Sequence, residues 1–187
     1  MITITKIETL YEGWSKFLLA HVRLADGTII QRQIEDHGRA IVVLPYDPRR
    51  RCALLVRQFR TPVYMTAGRQ DLLEAIAGVV DENDIAAAAR REAAEEAGLS
   101  LKELEHIACV WSIPGISTER SDLFLATYSE TDRTGTGGGL AEEHEDITVV
   151  EMPLAELVEM ADSGGLEDTK TLLLVQTLRL RRPELFS

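Results

Sequence analysis

Three glutamates on one predicted helix are the residues of this chain whose type and spacing best suit chemistry. A helix would present Glu92, Glu95 and Glu96 from one patch, with Arg91 four residues before Glu95. Clustered carboxylates repel each other unless a cation lies between them, and hard cations such as Mg²⁺ bind carboxylate oxygens and water. The patch therefore indicates either a divalent-metal site or a solvated acidic face.

The helix that carries this patch is predicted from the residues around it. Asn83 and Asp84 are helix-starting residues, the alanines at 86–89 have high helix propensity, and Gly98 suits a left-handed cap. These signals predict a helix over about 85–97. The flanking face is almost all alanine, which suits close packing and weakens the case for a solvated face.

The segment Arg91–Leu99, REAAEEAGL, resembles the second half of the Nudix box, in which Arg-Glu is followed by Glu-Glu and Gly. The first half differs. Gly78 is followed by Asp84 where the family has Glu, and the spacing from Asp84 to the Arg is one residue shorter. The shortened box and VRQFR at 56–60 resemble the GDP-mannose hydrolase branch of the Nudix nucleoside diphosphate sugar hydrolases. That branch is close to the ADP-ribose pyrophosphatases.

The resemblance implies a metal centre and a catalytic base. The implied ligands of Mg²⁺, or of Mn²⁺ in its place, are four carboxylates and one backbone carbonyl: Ala77, Glu92, Glu95, Glu96 and Glu145. Arg91 would orient the helix carboxylates, and the family often has a further Glu at the place of Glu74. Glu145 is the leading candidate for the general base, and Glu142 and Glu143 of the same acidic loop remain open.

The resemblance also implies a set of substrate contacts, and each has a plainer alternative. Trp14 would lie against the nucleotide base or be a core aromatic. The other implied contacts are Arg32, Gln33, Arg60, Glu119 and Lys170, of which Arg32 and Gln33 are often presented by the partner subunit. Arg60 would contact phosphate or form a surface ion pair. A solvated side chain is the ordinary expectation for the others.

The 187 residues, 45% of them hydrophobic, are enough for one well-buried core. Alternating residues at 2–9, 14–24 and 28–35, with a turn at Asp26-Gly27, predict an N-terminal antiparallel sheet. We expect a β subdomain over 1–37, used for dimerisation, and a hydrolase domain over 38–187. The resemblance implies a homodimer with exchanged N-terminal parts.

The remaining pattern predicts an α+β fold with a mixed sheet between helical layers, which the resemblance identifies as the Nudix fold. Strands are expected at 40–44, 52–58, 104–111, 122–128 and 147–152, with terminal helices at about 153–163 and 168–181. These elements must position the acidic helix and its neighbouring residues.

Charge and composition exclude several classes of partner. The net charge of −11 disfavours nucleic acid and anionic membrane surfaces, because both carry the same sign. No apolar run approaches the roughly 18 residues of a membrane span. Cys52 and Cys109 lie singly, without metal-site spacing, so we expect buried reduced thiols and a cytoplasmic protein.

The sequence thus predicts Mg²⁺-dependent hydrolysis of a nucleoside diphosphate sugar, with GDP-mannose as the expected substrate and ADP-ribose as the alternative. A Nudix-fold module that binds a nucleotide sugar without cleaving it is the alternative of another class, since fold does not fix activity. The intact Arg-Glu and Glu-Glu pairs argue for the enzyme.

Overall fold

The computed structural model describes residues 1–80, 84–140, 142 and 146–186. The chain divides into two compact units. The N-terminal unit contains Met1–Ala40 and Cys109–Ser121, and the larger unit contains Ile41–Ala108 and Asp122–Ser187. The dimerisation role expected of the N-terminal residues stays a prediction.

The N-terminal unit is built on an antiparallel sheet of strands β1 (Thr3–Glu12), β2 (Lys16–Arg23) and β3 (Ile29–Asp36). The turn between β2 and β3 is the predicted one, with Gly27 at a φ of 90°. A loop from Ser112 to Glu119 follows the edge of β3. Backbone hydrogen bonds join Glu35 to Ile116 and Thr118 at 2.8 and 3.0 Å, and hold this loop on the strand.

The larger unit is built on a second sheet, whose main path runs β10-β5-β4-β9-β8. Short strands β6 and β7 pair with β5 and β4. The bounds are β4 Arg39–Asp47, β5 Cys52–Gln58, β6 Leu72–Glu74, β7 Ile76–Val79, β8 Glu105–Trp111, β9 Arg120–Thr127 and β10 Thr148–Pro153. Nearly every residue of β4 and β5 is buried, as expected for strands covered on both faces.

The helices are α1 (Thr61–Ala67), α2 (Ile85–Ala97), α3 (Leu154–Ser163) and α4 (Thr169–Arg181). The alanine face of α2 packs on one face of the sheet, where Ala88, Ala89 and Ala93 lie in one core cluster with Leu54 and Val56. Helix α3 packs against α4 and β10. The predicted α+β class and the N-terminal antiparallel sheet are confirmed.

Both cysteines are free thiols, as the sequence predicts. Cys52 is buried, and burial raises the pKa of its thiol despite a contact with the Tyr128 hydroxyl at 3.5 Å. Cys109 is half-buried. Over the described residues, no helix is both long and apolar enough to cross a membrane.

Candidate active site

Helix α2 begins and ends where the sequence predicts. The Asp84 carboxylate caps its first turn by accepting hydrogen bonds from the N–H groups of Ala86 and Ala87 at 2.9 and 3.1 Å. Gly98 follows the last helical residue in the left-handed conformation, with a φ of 64°. The structure thus gives Asp84 the role of a helix cap.

Two glutamates of α2 pack on Ala77 and Gly78 of strand β7, in the segment from Glu74 to Gly78 that we call the bend. The Glu92 carboxylate lies directly against Gly78, and a Cβ on this residue would overlap all three atoms of that carboxylate. Glu96 is 2% exposed, and its Oε2 accepts a hydrogen bond from the Ala77 N–H at 3.3 Å. Glycine at residue 78 therefore lets the Glu92 carboxylate lie against the backbone, and a larger residue would displace that carboxylate.

Arg91 connects the remaining carboxylates of the patch. Its Nη1 lies 2.9 Å from Glu92 Oε1 and 2.9 Å from Glu95 Oε2, and its Nη2 donates to the carbonyl of Val79 at 3.4 Å. One guanidinium thus offsets the repulsion between two carboxylates and holds both near strand β7. The role of Arg91 in orienting the carboxylates for a metal stays a prediction.

The donor atoms at this bend suit a hard divalent cation. Carboxylate oxygens from α2 and a backbone carbonyl such as that of Ala77 are the ligand type that Mg²⁺ prefers, and the Glu92 carboxylate lies against the backbone of Gly78. Within the described residues, however, no three His, Cys, Asp or Glu side chains converge into a complete metal cluster. Glu145, the predicted loop ligand and base, lies outside the described residues, as does Glu143, whereas Glu142 is exposed.

Arg60 forms an ion pair with a buried carboxylate. Its Nε and Nη2 donate to Glu74 at 2.8 and 3.4 Å, and the Glu74 side chain is 5% exposed, against 41% for Arg60. Because Glu74 ends the strand that leads into Ala77, the pair fixes a half-exposed cation beside the bend. Arg57 pairs instead with Asp71, consistent with the predicted opposite orientation of the two arginines.

The first turn of α4 supports the segment before Ala77 through a hydrogen bond that the sequence did not predict. Thr171 Oγ1 accepts a hydrogen bond from the Ala75 N–H at 2.7 Å and donates one to Asp168 Oδ2 at 2.7 Å. The predicted substrate residue Lys170 donates to Asp168 Oδ1 at 3.0 Å. Burial raises the pKa of Asp168, but the Lys170 charge and the Thr171 hydrogen bonds outweigh it and hold that pKa below its ordinary value.

A glycine-rich loop satisfies the carbonyls at the end of α2. The N–H groups of Gly138 and Gly139 donate to the carbonyls of Glu96 and Glu95 at 2.9 and 3.2 Å. Gly137 has a φ of 66°, and a Cβ there would overlap the Glu96 carbonyl. The run of glycines indicates that the backbone comes close to another part of the chain. The sequence did not show that this part is the end of α2.

The other predicted contacts lie in the N-terminal unit. Trp14 is 80% exposed and its ring lies 5.1 Å from that of His37, so within this chain it is not a core residue. Glu119 Oε1 accepts hydrogen bonds from the hydroxyls of Ser112 and Ser121, both at 2.9 Å, and its Oε2 lies 3.5 Å from His37. These contacts hold the Glu119 carboxylate within the N-terminal unit, where its loop packs along the edge of β3.

Arg32 and Gln33 point to opposite faces of the N-terminal sheet. Pairing with β2 places Arg32 opposite Ala20 and Gln33 opposite Leu19, and neighbouring side chains on a strand alternate in direction. Arg32 Nη1 donates to the carbonyl of Gln31 at 2.9 Å, which turns the guanidinium along the sheet edge.

The predicted site residues are divided between the two units. The larger unit contains Ala77, the three glutamates of α2, Arg60 and Lys170. The N-terminal unit contains Trp14, Arg32, Gln33 and Glu119.

A family model described as NUDIX domain matches residues 36–174, a range that contains α2, the bend and the glycine-rich loop. The chain belongs to the Nudix family. The carboxylates that pack on Gly78 and Ala77 are those of the Nudix box, so the predicted family is confirmed. The match also confirms the expectation of a Nudix hydrolase.

Curated relatives and a solved structure agree with this assignment. GDP-mannose pyrophosphatases from Cronobacter sakazakii and Salmonella arizonae are 37% and 36% identical to this chain, over 83% of it and 82% of each relative. A GDP-mannose pyrophosphatase from Escherichia coli is 34% identical. The crystal structure of an ADP compounds hydrolase is 16% identical and superposes with a TM-score of 0.78, covering 98% of this chain and 95% of its own. That likeness confirms the Nudix fold.

Proposed function

We propose that this Nudix hydrolase cleaves the diphosphate of GDP-mannose in a Mg²⁺-dependent reaction, giving GMP and mannose 1-phosphate. The observation that carries the proposal is the packing of Glu92 and Glu96 on Gly78 and Ala77, which sets two carboxylates of α2 against the backbone of strand β7. Identity of 34–37% to GDP-mannose pyrophosphatases supports the choice of substrate.

Glu92, Glu95 and Glu96 would hold the cation together with the Ala77 carbonyl. We expect Mg²⁺ in the cell and Mn²⁺ as a working substitute, because both accept oxygen ligands. When bound, the cation offsets the charge of the diphosphate and lowers the pKa of a bound water. The chain itself fixes the positions of these ligands, through the room left at Gly78 and the ion pairs of Arg91.

Three other residues of the chain would bind the substrate and activate the attacking water. Arg60, fixed by Glu74, would bind a phosphate oxygen, and Lys170 would contact the substrate from the first turn of α4. Glu145 would take the proton from the attacking water. The water oxygen then bonds to one phosphorus, and the bond from that phosphorus to the bridging oxygen breaks, leaving two monophosphates.

We also propose that the enzyme is a homodimer whose N-terminal units supply substrate contacts, with Trp14, Arg32, Gln33 and Glu119 as candidates. Strand β1 and the residue before it carry four apolar side chains that are each more than half exposed, namely Ile2, Ile4, Ile7 and Leu10. An apolar strand surface of this kind usually marks an interface. Light scattering should give twice the chain mass of 20.8 kDa, and a value of 20.8 kDa at assay concentration would contradict the dimer.

The two free thiols support a reducing compartment, which we take to be the cytoplasm. Neither cysteine has the pairing of a structural disulfide. Fractionation of cells that express the full chain should recover it with the cytoplasmic fraction.

The test of the proposed function is a hydrolysis assay with GDP-mannose in which a phosphatase releases inorganic phosphate from the products. Release should require Mg²⁺, stop with excess chelator and return when Mg²⁺ is restored. Chromatography should identify GMP and mannose 1-phosphate in equal amounts. Binding of GDP-mannose without any release in the presence of Mg²⁺ would favour the non-catalytic module instead.

ADP-ribose hydrolysis is the second candidate, favoured by the likeness of the whole chain to an ADP compounds hydrolase. The same bend would serve either substrate, because the diphosphate is common to both. The two therefore differ in how the base and the sugar are recognised, not in the residues of α2.

A further inference from the structure

Ala75 lies where the chain passes from one strand to the next within the bend. Strand β6 ends at Glu74 and β7 begins at Ile76, and the two strands pair with different neighbours, β5 and β4. Ala75 is 1% exposed, so its backbone N–H needs an acceptor within the protein. The position of that acceptor fixes the direction in which the chain enters β7.

The acceptor is the side chain of Thr171, a residue of α4. Its Oγ1 accepts the hydrogen bond from the Ala75 N–H at 2.7 Å, and Thr171 is fully buried. Without this hydroxyl the buried N–H would be left unsatisfied, which is costly. The hydrogen bond therefore ties the bend to the first turn of α4.

Asp168 fixes the direction of the Thr171 hydroxyl. Asp168 Oδ2 accepts hydrogen bonds from this hydroxyl at 2.7 Å and from the Thr171 N–H at 2.8 Å. Burial raises the pKa of Asp168, but Lys170 and these hydrogen bonds hold that pKa below its ordinary value, so the carboxylate is ionised at neutral pH and can only accept. The hydroxyl proton therefore points at Asp168, and an oxygen lone pair is left for the Ala75 N–H.

The residues on either side of Ala75 lead to groups of the proposed active site. On one side, Glu74 accepts hydrogen bonds from Arg60. On the other side, the Ala77 N–H donates to Glu96 Oε2 at 3.3 Å. A displacement of Ala75 would therefore move both the backbone on which the α2 carboxylates pack and the carboxylate that holds Arg60.

The same turn of α4 also holds the proposed substrate residue Lys170. Its Nζ donates to Asp168 Oδ1 at 3.0 Å, and its side chain is 22% exposed. Asp168 thus binds the lysine through one oxygen and Thr171 through the other. One buried carboxylate therefore supports the substrate cation directly and the bend through the Thr171 hydroxyl.

We propose that Thr171 is a positioning residue of the enzyme, whose hydroxyl holds the bend in the geometry that the metal ligands of α2 require. The inference rests on the proposed function and deepens it. A hydroxyl suits this place because it is a small group that accepts one hydrogen bond while it donates another. Thr171 was not singled out from the sequence, since its contact with Ala75 arises only on folding.

The test compares Thr171→Val with Thr171→Ser. Valine has the shape of threonine without the hydroxyl, whereas serine keeps the hydroxyl. The probe is Mn²⁺, whose binding is measured without substrate from the electron paramagnetic resonance signal of the free ion. Thr171→Val should raise the Kd for Mn²⁺ about tenfold, as expected when a group that orients metal ligands is removed, and Thr171→Ser should restore the wild-type Kd.

Steady-state kinetics with GDP-mannose give a second readout. Thr171→Val keeps its backbone N–H, and with it the hydrogen bond to Asp168, so Lys170 stays in place. We therefore expect kcat to fall about tenfold and KM to change much less. Thr169→Val is the matched control, since Thr169 is an exposed threonine in the same turn of α4, and it should change neither constant nor the Kd for Mn²⁺.

A purely structural role of Thr171 predicts a different result. The Thr171→Val protein would then have a lower melting temperature, while the folded protein kept the wild-type Kd for Mn²⁺ and the wild-type kcat, and this result would overturn the proposal. If Thr171→Val does not fold, Thr171→Cys takes its place, because a thiol is a much weaker hydrogen-bonding group than a hydroxyl. A raised Kd in Thr171→Cys would support the proposal, and a wild-type Kd would overturn it.

The outcome is separate from that of the hydrolysis assay. If wild type hydrolyses GDP-mannose while Thr171→Val binds Mn²⁺ as tightly as wild type, the proposed function stands and the positioning role fails. If wild type does not hydrolyse GDP-mannose while Thr171→Val weakens the binding of Mn²⁺, the positioning role stands and the proposed function fails.

Discussion

The acidic face of α2 differs in charge and composition from the groove of the N-terminal unit, which is the cavity lined by Trp111 and Arg32. At α2, Glu92, Glu95 and Glu96 supply negative charge, and Glu96 is almost fully buried. In the groove, Trp111 is more than half exposed and Arg32 supplies positive charge. The first region suits a divalent cation, whereas the second presents an exposed indole and a positive charge.

This difference separates turnover from selectivity. Interactions that strengthen in the transition state lower the barrier, whereas contacts with a distant, unreacting part of the substrate act mainly on its binding. Changes at α2 should therefore act on kcat, whereas changes at the substrate contacts proposed for the N-terminal unit should act on KM. A single variant that moves both quantities equally would break this separation.

The largest effect is expected for Glu96→Gln. The buried carboxylate touches the Ala77 N–H, and the amide that replaces it cannot supply a charged ligand, so kcat for GDP-mannose should fall about 100-fold or more. Circular dichroism should show an unchanged fold. Glu103→Gln, an exposed change outside the site, is the control. Undiminished turnover of the Glu96→Gln protein would remove α2 as the metal site.

Gly78→Ala tests the space beside Glu92 without changing any charge. Because the added Cβ overlaps the Glu92 carboxylate, we expect kcat to fall by about 10- to 100-fold and the Mg²⁺ concentration for half-maximal rate to rise. Gly165→Ala is the matched control, since its nearest contact would be an ordinary 3.5 Å. Normal kinetics of the Gly78→Ala protein would show that the carboxylate position is not critical.

The smallest effect concerns the support of the bend by Asp168. Its pKa is lowered in the folded protein, so its ionised form stabilises the fold above the ordinary aspartate pKa of about 4, and this stabilisation is lost as the pH falls through the folded pKa. Asp168→Asn should lower the free energy of unfolding by about 1 kcal/mol at pH 7. Denaturant titrations at pH 7 and pH 3 should show a smaller difference at pH 3. A difference that is equal at both values would contradict the role of the charge.

Local signals in the sequence predicted α2 well. Asp84 and Gly98 are caps that act within one turn of the helix, and the Arg-Glu and Glu-Glu pairs lie on the same short segment. Helix α1 was missed because its seven residues bury no side chain and so leave no apolar period. The hydrogen bond from Ala75 to Thr171 was out of reach for another reason, since it joins residues 96 positions apart.

The geometry of residues whose neighbours lie far away in the sequence could not be predicted. For these residues the sequence indicated the kind of contact but not the direction of the side chain. The resemblance suggested Arg32 and Gln33, but the opposite directions of their side chains follow from the pairing of β2 with β3. The pairing of Trp111 with Arg120 depends on the loop that separates them, whose shape is set by contacts with Glu35.

The central claim is that this Nudix hydrolase acts on GDP-mannose in preference to ADP-ribose. Its most direct test is kcat/KM of the wild-type enzyme for GDP-mannose and for ADP-ribose, measured side by side at equal Mg²⁺. The account predicts cleavage of both, with GDP-mannose preferred by about tenfold or more, because a site that hydrogen-bonds the base edge discriminates strongly. A clear preference for ADP-ribose would contradict it.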